Sequence, residues 1–398
     1  MSSPITGYAE GYYGKLLSWD ERRSVLMTLH QLGLNTYYYA PKEDVFHRLD
    51  WRQPYPTQWR EQFRQFCQLA QELELRVVAG VAPGLDFDFA HLPDGQDFQH
   101  LLHKCQQLLD DGAQLISLLM DDIDDHFEQH RDTFEYEGQA HAALANALAE
   151  ALTIPSSNQT GASAIWVTPR VYADELIADS PAYLPHFVAT LDQQHSILYC
   201  GTDVVSQSVD EHFHRHLTNA ARQAGLADLR HHPVIVWDNL YANDYCPRRL
   251  FIGPWQGRSS SIDVLLNPTG MINTDCMLLQ LMAEVQRLDG DVVSEEQHRQ
   301  LWHTVLRQHG VPEAFFSLAT FFWHPVFNSD DSVQACPDGA QIREAIETCL
   351  WRWKTPLSRE WYSALFGLKH DLLAFSGEHA QLRIRKTQTS PLARVLSK

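Results

Sequence analysis

The sequence of 398 residues predicts an α/β fold: a (β/α)8 barrel at residues 1–288, an all-helical region at 289–382, and a basic tail, expected to be mobile, at 383–398. Short apolar runs alternate with amphipathic helical segments about eight times, which favours a closed barrel over an open doubly wound sheet. No Gly-x-Gly-x-x-Gly follows the first strand, which removes the main dinucleotide-binding alternative. From Ser294 onward only helical periodicity continues.

The first unit shows how each element is predicted. A strand at Ile5–Glu10 leads into Gly11-Tyr-Tyr-Gly14, where glycines let the backbone turn tightly and approach a ligand. Ser18-Trp-Asp-Glu21 has the spacing of a capping box and predicts the start of a helix. Later strands are predicted at Thr36–Ala40, Arg76–Val81, Leu115–Met120, Ala164–Thr168, Ser196–Tyr199, Pro233–Asp238 and Ile262–Asn267. Later helices are predicted at Thr57–Leu73, Phe98–Leu109, Gly138–Leu152, Tyr183–Leu191, Val209–Ala224 and Asp275–Leu288, and the segment between Asp238 and Ile262 is irregular.

An acidic stretch follows the fourth strand, where the apolar run Leu115–Met120 gives way to four carboxylates by Asp125. Alternation along a strand would place Asp121 and Asp122 on opposite faces, so only a twist or bulge at the strand end turns both toward one pocket. Two adjacent carboxylates in a partly dry cavity repel each other, and we expect one to keep its proton near neutral pH. A general acid needs that condition.

Three interpretations of this stretch stay open on these residues alone. It is a solvated acidic loop, the commonest meaning of a charged run, or a site for Mg²⁺ or Ca²⁺, which prefer several carboxylate oxygens, or a pair of catalytic carboxylates. A metal site would need further acids at neighbouring strand ends, and Asp86, Asp238 and Asp244 are the candidates.

The composition favours a reduced, globular protein with a neutral or cationic ligand. The formal net charge of −19 argues against nucleic acid and anionic membrane surfaces as partners, because both select basic faces. Seven cysteines without paired short spacing predict core residues, not a disulfide framework or a zinc site. No stretch has the pattern of a signal peptide or is long enough to span a membrane, so we expect a cytoplasmic location.

Polar and aromatic residues follow most of the predicted strands, and a barrel brings all of these positions to one rim. The candidates are Gly11, Tyr13, Lys42, Asp121, Asp122, Tyr172, Trp237, Asn239, Asp244 and Asn267. Carboxylate, amide and ammonium groups suit the hydroxyls of a pyranose, and the aromatic rings suit its apolar face. Sugar chemistry therefore fits this set better than metal chemistry.

Ordered motifs carry a resemblance to a known family. They are Glu10-Gly-Tyr-Tyr-Gly14, Leu34-Asn-Thr-Tyr37, Tyr39-Ala-Pro-Lys-Glu-Asp44, Trp51-Arg52, Ala82-Pro-Gly-Leu-Asp86, Met120-Asp-Asp-Ile-Asp124, Trp237-Asp-Asn239, Ala242-Asn-Asp-Tyr245 and Leu266-Asn-Pro268. In order and spacing the segment from Ile5 to Arg287 resembles the β-N-acetylglucosaminidase domain of glycoside hydrolase family 84, which includes the protein O-GlcNAcases.

The resemblance implies a retaining, exo-acting enzyme that uses substrate-assisted catalysis and needs no metal or cofactor. The 2-acetamido oxygen of a terminal GlcNAc would attack its own anomeric carbon and form an oxazoline. Asp121 would accept the acetamido N–H. Asp122 would protonate the leaving oxygen and then deprotonate the water that opens the ring.

The resemblance also implies contacts to the sugar hydroxyls. Gly11 and Lys42 would lie at the 3-hydroxyl. Asp244 would hold the 4- and 6-hydroxyls, and Asn267 the 3- and 4-hydroxyls.

The acetamido side of the sugar has its own implied residues. Asn239 would contact the acetamido group or the anomeric region, and Tyr172 would close over the acetyl pocket with Trp237. The sequence departs from the family pattern nearby: Tyr12 and Met120 stand where phenylalanine is usual, and Tyr172 ends Pro-Arg-Val-Tyr where Pro-Thr-Glu-Tyr is common.

Two other functions stay open: a non-catalytic GlcNAc-binding protein on the same fold, and a metal-dependent barrel enzyme. The expected partner is a GlcNAc-containing glycoside or glycoprotein. The helical region after residue 289 is a candidate homodimer interface.

Overall fold

The computed structural model describes residues 4–124, 133–152, 164–223, 232–245, 250–259, 261–288, 293–322 and 339–374. It divides the chain into two compact units, Met1–Asn239 with Ser261–Asn267, and Leu240–Ser260 with Pro268–Lys398. The predicted basic tail at 383–398 lies outside the described residues. The domain boundaries drawn from the sequence stay a prediction.

The first unit is a closed barrel of eight parallel strands in sequential order, which confirms the predicted fold. The strands are β1 Thr6–Glu10, β2 Thr36–Tyr39, β3 Arg76–Val81, β4 Leu115–Leu119, β5 Trp166–Thr168, β6 Ser196–Tyr199, β7 Val234–Asp238 and β8 Val264–Leu266. The helices are α1 Trp19–Leu32, α2 Thr57–Glu72, α3 Gln96–Asp110, α4 Glu137–Ala151, α5 Tyr183–Thr190 and α6 Arg215–Gln223, with short 3-10 helices at Phe89–His91 and Asp174–Asp179. Residues 239–245, 250–259 and 261–263, between β7 and β8, contain no helix.

Helix α6 begins at Arg215, so the predicted start at Val209 is wrong. The Asp210 carboxylate accepts the backbone N–H of His212 at 2.8 Å, and the Asp210 carbonyl accepts that of Phe213 at 3.1 Å. Aspartate side chains compete in this way with helical hydrogen bonds. The segment is therefore a turn that precedes the helix.

Aromatic rings fill the barrel interior. The Tyr38 ring lies 5.4 Å from Trp237 and 5.9 Å from Trp166, in edge-on contacts. Such contacts add to the free energy gained by burying the ring area. The Tyr38 hydroxyl donates to Ser117 Oγ at 2.7 Å, which satisfies its polar end inside the core. The residues at the rim therefore lie above a closely packed, hydrogen-bonded interior.

The end of β1 is held by a buried ion pair. Glu10, fully buried, accepts two hydrogen bonds of 2.8 Å from the Arg22 guanidinium and one of 2.7 Å from the Tyr37 hydroxyl. Arg22 lies on α1, whose predicted capping box between Ser18 and Glu21 is present. The pair ties the strand end to the following helix, which fixes the loop between them.

The second unit is helical where it is described, apart from its irregular segments. Its helices are α7 Ile272–Gln286, α8 Glu295–Gln308, α9 Glu313–Phe316, α10 Gly339–Trp351, α11 Pro356–Glu360 and α12 Tyr362–Ala374, with a 3-10 helix at Ala319–Phe321. Glu360 accepts the backbone N–H groups of Asn273 and Thr274 at 2.9 and 2.8 Å, so its carboxylate satisfies the first turn of α7.

Helix α7 begins one turn before the predicted Asp275. The Asp275 carboxylate accepts the N–H groups of Thr269 and Gly270, so this residue of the first turn holds the loop that precedes the helix. None of the described helices is long and apolar enough to cross a membrane. Within the described segments, free thiols are found at Cys67, Cys105, Cys200 and Cys349.

Candidate active site

The two predicted acids follow β4, which ends at Leu119. Asp122 has a φ of +55°, a left-handed conformation that costs a residue with a side chain about 1–2 kcal/mol. This reversal ends the strand alternation, and both carboxylates now face one ammonium group. Asp121 pairs directly with Lys42, and Oδ2 of Asp122 lies 3.8 Å from the Lys42 Nζ. The sequence predicted that a twist or bulge at the strand end would be needed to turn both acids to one side. The left-handed backbone of Asp122 supplies this change of direction.

Lys42 follows β2 and points into the rim with its ammonium buried. Its ammonium forms a buried ion pair with Asp121. The same position places its positive charge between two carboxylates, where it stabilises their ionised forms.

Two phenols from other loops bind the second acid. The Tyr13 hydroxyl donates to Asp122 Oδ2, and the Tyr172 hydroxyl donates to Oδ1, each at 2.8 Å. Tyr13 is 41% exposed, so it is not a core residue, whereas Tyr172 packs partly buried against the barrel core. Burial and the Asp122 charge raise the pKa of both phenols, so both remain protonated donors.

The two acids differ in their electrostatic surroundings. Burial raises the pKa of Asp121, although Lys42 opposes the shift. For Asp122 burial acts in the same upward direction, but Lys42 and the hydrogen bonds from Tyr172 and Tyr13 outweigh it and lower the pKa. Opposite shifts on neighbouring carboxyls are the predicted feature of an acid–base pair. In the unliganded protein, the carboxyl that more readily keeps a proton is Asp121.

A second group of predicted residues forms a hydrogen-bonded patch on the same rim. The side-chain oxygen of Asn267 accepts the Gly11 N–H at 3.1 Å, and its amide donates to Asn239 at 2.8 Å. Asn239 also accepts the Trp237 indole N–H at 2.9 Å and donates to the Val204 carbonyl at 2.9 Å. These bonds fix the direction of both amides before any ligand arrives.

Gly11 lies directly against the Trp237 ring. A Cβ at this position would come within 2.2 Å of the indole and 3.3 Å of the Asn267 oxygen. Only glycine fits without displacing the ring. Trp237 itself is buried with the barrel core, so it supports the patch and also belongs to the interior.

Asp244 belongs to the second unit. Its carboxylate accepts the backbone N–H of Tyr245 at 2.9 Å. Its predicted contact with sugar hydroxyls stays a prediction.

The sequence alone did not single out Arg48. This residue lies in the loop after β2 and is 9% exposed. Its guanidinium donates to the Asp122 backbone carbonyl at 2.6 Å and to the Tyr13 hydroxyl at 3.1 Å. A basic residue in a rim loop was the available signal, but no spacing linked it to its partners.

Within the described residues no group of three or more histidine, cysteine, aspartate or glutamate side chains is arranged to hold a metal ion. One acid considered for such a site, Asp86, accepts hydrogen bonds from the Trp51 indole at 2.8 Å and from Arg52 at 2.6 Å.

A closed parallel barrel that presents two adjacent carboxylates at its carboxyl rim has the arrangement that a barrel glycoside hydrolase requires. A family model described as β-N-acetylglucosaminidase matches residues 6–321. The chain therefore belongs to the β-N-acetylglucosaminidase family, which confirms the resemblance found in the sequence.

Curated relatives include the protein O-GlcNAcases of Rattus norvegicus and Mus musculus, each 28% identical over 289 residues. Each match covers 70% of this chain and 29% of the relative, so the chain spans less than a third of their length. Among solved structures, that of CpGH84B aligns with a TM-score of 0.65 at 21% identity, covering 96% of this chain and 65% of that one. This alignment is a likeness of fold.

Proposed function

We propose that the protein hydrolyses terminal β-linked GlcNAc with retention, through an oxazoline formed by the substrate's own acetamido group. The observation that carries this proposal is the pair of neighbouring carboxyls, Asp121 and Asp122, which converge on Lys42 at the carboxyl ends of the barrel strands. An enzyme of this kind needs two adjacent carboxyls that do different work. Family membership supports the same reaction class.

In the first step the acetamido oxygen bonds to the anomeric carbon while the bond to the leaving oxygen breaks. Asp122 gives its proton to that oxygen, and Asp121 accepts the amide N–H, which stabilises the positive charge on the forming ring. In the second step water adds to the anomeric carbon, the ring opens, and Asp122 takes a proton from the water. The β configuration is restored and Asp122 is again protonated.

Substrate binding has to reverse the order of the two carboxyl pKa values. The Asp122 side chain is 31% exposed without ligand. A bound sugar excludes this water, which raises the Asp122 pKa because the charged form loses solvation. An amide N–H bonded to Asp121 favours its ionised form and lowers its pKa. Each acid thus reaches the state that the first step requires.

The hydrogen-bonded patch accounts for sugar recognition in this proposal. Asn267, with Gly11 beside it, binds the 3- and 4-hydroxyls, and Lys42 lies at the 3-hydroxyl. Asn239 contacts the acetamido or anomeric region. Such side chains need little reorganisation because their partners already orient them.

The remaining assignments follow the family pattern. Asp244 binds the 4- and 6-hydroxyls, while Tyr172 and Trp237 enclose the acetyl group. A cytoplasmic location, a GlcNAc-bearing glycoside or glycoprotein as substrate, and dimerisation through the helical region belong to the same proposal. A competition assay with a glycopeptide, chitobiose and a muropeptide ranks the aglycones.

The test is hydrolysis of an aryl β-N-acetylglucosaminide, followed by proton NMR of the first sugar product. Initial release of the β anomer, inhibition by a thiazoline analogue of the oxazoline, and turnover unchanged by chelator support the proposal. Release of the α anomer, or loss of turnover with chelator that Mg²⁺ restores, contradicts it. Calorimetric GlcNAc binding without hydrolysis would favour a non-catalytic sugar-binding protein.

A further inference from the structure

Arg48 is a buried charged residue of the site to which the proposed reaction assigns no step. It comes from the loop after β2 and contacts two residues from other loops. One contact is to the backbone carbonyl of Asp122, the residue with the left-handed backbone. The other is to the hydroxyl of Tyr13, which itself binds the Asp122 carboxylate.

The contact to the carbonyl bears on geometry. A left-handed aspartate persists only where surrounding groups hold it. The Arg48 bond to the Asp122 carbonyl, at 2.6 Å, is charge-assisted and therefore among the stronger hydrogen bonds. This bond fixes the peptide group between Asp122 and the next residue. The Asp122 side chain is thereby held in one direction relative to the strand.

The contact to Tyr13 bears on proton direction. A guanidinium only donates, so at the 3.1 Å contact the Tyr13 oxygen must accept. The phenol hydrogen is then directed to Asp122 Oδ2, 2.8 Å away. Arg48 thus sets the polarity of the bond between Tyr13 and the acid.

We propose that Arg48 is a positioning residue for proton transfer by Asp122: it holds the reversed backbone and directs the Tyr13 hydroxyl toward the carboxylate. This inference rests on the proposed function for its catalytic consequence. The charged and titratable groups that face Asp122 are Lys42 from the end of β2, Asp121 beside it, Tyr13, Tyr172 and Arg48.

Two variants separate the charge of Arg48 from its forked geometry. Arg48→Met removes both, and Arg48→Lys keeps the charge but lacks the planar fork whose two terminal nitrogens reach Tyr13 and the Asp122 carbonyl. Arg52→Met is the matched control, because Arg52 lies four residues further along and holds Asp86 and Asp97 instead of the acid pair. The assays use an activated 4-nitrophenyl glycoside and an unactivated methyl glycoside, each over a range of pH.

For Arg48→Met we expect kcat/KM on the methyl glycoside to fall by roughly 10- to 100-fold, the loss expected for one charge-assisted hydrogen bond, and to fall much less on the 4-nitrophenyl glycoside. The alkaline limb of the pH profile of kcat/KM should move up by about one pH unit in this variant, because the loss of a positive charge near Asp122 raises the pKa of that carboxyl. Arg48→Lys should lose activity on the methyl glycoside but keep the limb of the wild type. Arg52→Met should change neither the limb nor the preference between glycosides.

A titration of Asp122 by carboxyl ¹³C NMR, assigned with Asp122→Asn, gives a readout independent of turnover. An upward shift in Arg48→Met supports the inference even if the wild-type protein hydrolyses neither glycoside, a result that would count against the proposed function alone. If the wild type is active and Arg48→Met leaves the limb, the carboxyl titration and the glycoside preference unchanged, the role of Arg48 is overturned. The same holds if both glycosides are lost equally without any change in titration, since that describes a structural arginine.

Discussion

The hydroxyl of Tyr172 donates a hydrogen bond of 2.8 Å to Oδ1 of Asp122, across the rim from β5 to the end of β4. A donor on a carboxylate oxygen favours the ionised form, so this bond lowers the Asp122 pKa in the unliganded protein. The carboxyl that the proposed mechanism uses as the general acid is therefore held in its ionised form before substrate binds. This relationship makes the pH dependence of the enzyme a direct test of the site.

Tyr172→Phe should raise the Asp122 pKa, because the variant loses a donor to the charged form. The alkaline limb of kcat/KM, which reports the free protein, should therefore move to higher pH. We expect kcat to fall by about 10- to 100-fold, because one charge-assisted hydrogen bond is lost. Tyr136→Phe, at a ring that stacks on His186, is the control. A limb that stays in place or moves down would contradict the assigned contact.

Substitutions of the two acids should have different leaving-group dependence. Asp122→Ala removes the proposed proton donor, so poor leaving groups should lose about 10²- to 10⁴-fold in kcat/KM while activated aryl glycosides lose far less. Asp121→Ala removes the group that orients the nucleophilic amide, so both substrates should suffer. A plot of log kcat/KM against leaving-group pKa gives the comparison, and equal slopes for the two variants would speak against the division of roles.

Gly11→Ala should destabilise the protein and weaken sugar binding. The added methyl group overlaps the Trp237 ring at 2.2 Å, and such overpacking costs about 1–3 kcal/mol. Gly33→Ala is the reference: its φ is +72° but nothing lies within 4 Å of the new Cβ, so it costs only about 1 kcal/mol of backbone strain. Urea unfolding compares the two variants. A Gly11→Ala protein with wild-type affinity for GlcNAc would disagree with the placement of the sugar.

The elements that local chemistry determines were predictable from the sequence. The capping box at Ser18 predicted the start of α1, and apolar runs predicted the strands. Val209 failed as a helix start because Asp210 forms a competing turn. The sequence shows that an aspartate is present, but it does not show whether its side chain or the helical carbonyls will bind the following backbone N–H groups.

Long-range geometry was not predictable. Arg48 binds residues 35 and 74 positions away in sequence, and no spacing rule joins them. The left-handed backbone at Asp122 depends on contacts of this kind. The order of the two carboxyl pKa values likewise depends on where Lys42 and the phenols lie, and the sequence predicts only that the values differ.

Folding stability should fall in mild acid because His47 is buried in the folded protein, where burial disfavours its protonated form. Burial, with Lys42 nearby, lowers the His47 pKa to about 3, whereas the unfolded chain binds this proton near its ordinary value. The unfolded state therefore binds more protons between about pH 6.5 and 3, and stability is lost as the pH falls through that window. From pH 7.5 to 5 the loss from this one residue is about 2 kcal/mol.

His47→Gln should reduce the difference in unfolding free energy between pH 7.5 and 5 by that amount. His212→Gln, at an exposed histidine, is the control. Denaturant melts at the two pH values measure the difference. His195, lowered to about 4 mainly by burial, adds to the slope in the same direction, so the His47 variant should keep a residual dependence. An unchanged slope would mean that His47 is not neutral in the folded protein.

The positive φ at Asp122 also limits which amino acids evolution can use at this point in the chain. Glycine, aspartate and asparagine adopt that backbone most readily, while β-branched side chains there are strained. Glutamate can adopt this backbone, as Glu74 does with a φ of +58°, but its longer side chain would move the carboxyl away from Lys42 and the two phenols. Homologues that keep the reversal should therefore retain the shorter acid, and a glutamate there would signal a differently shaped loop.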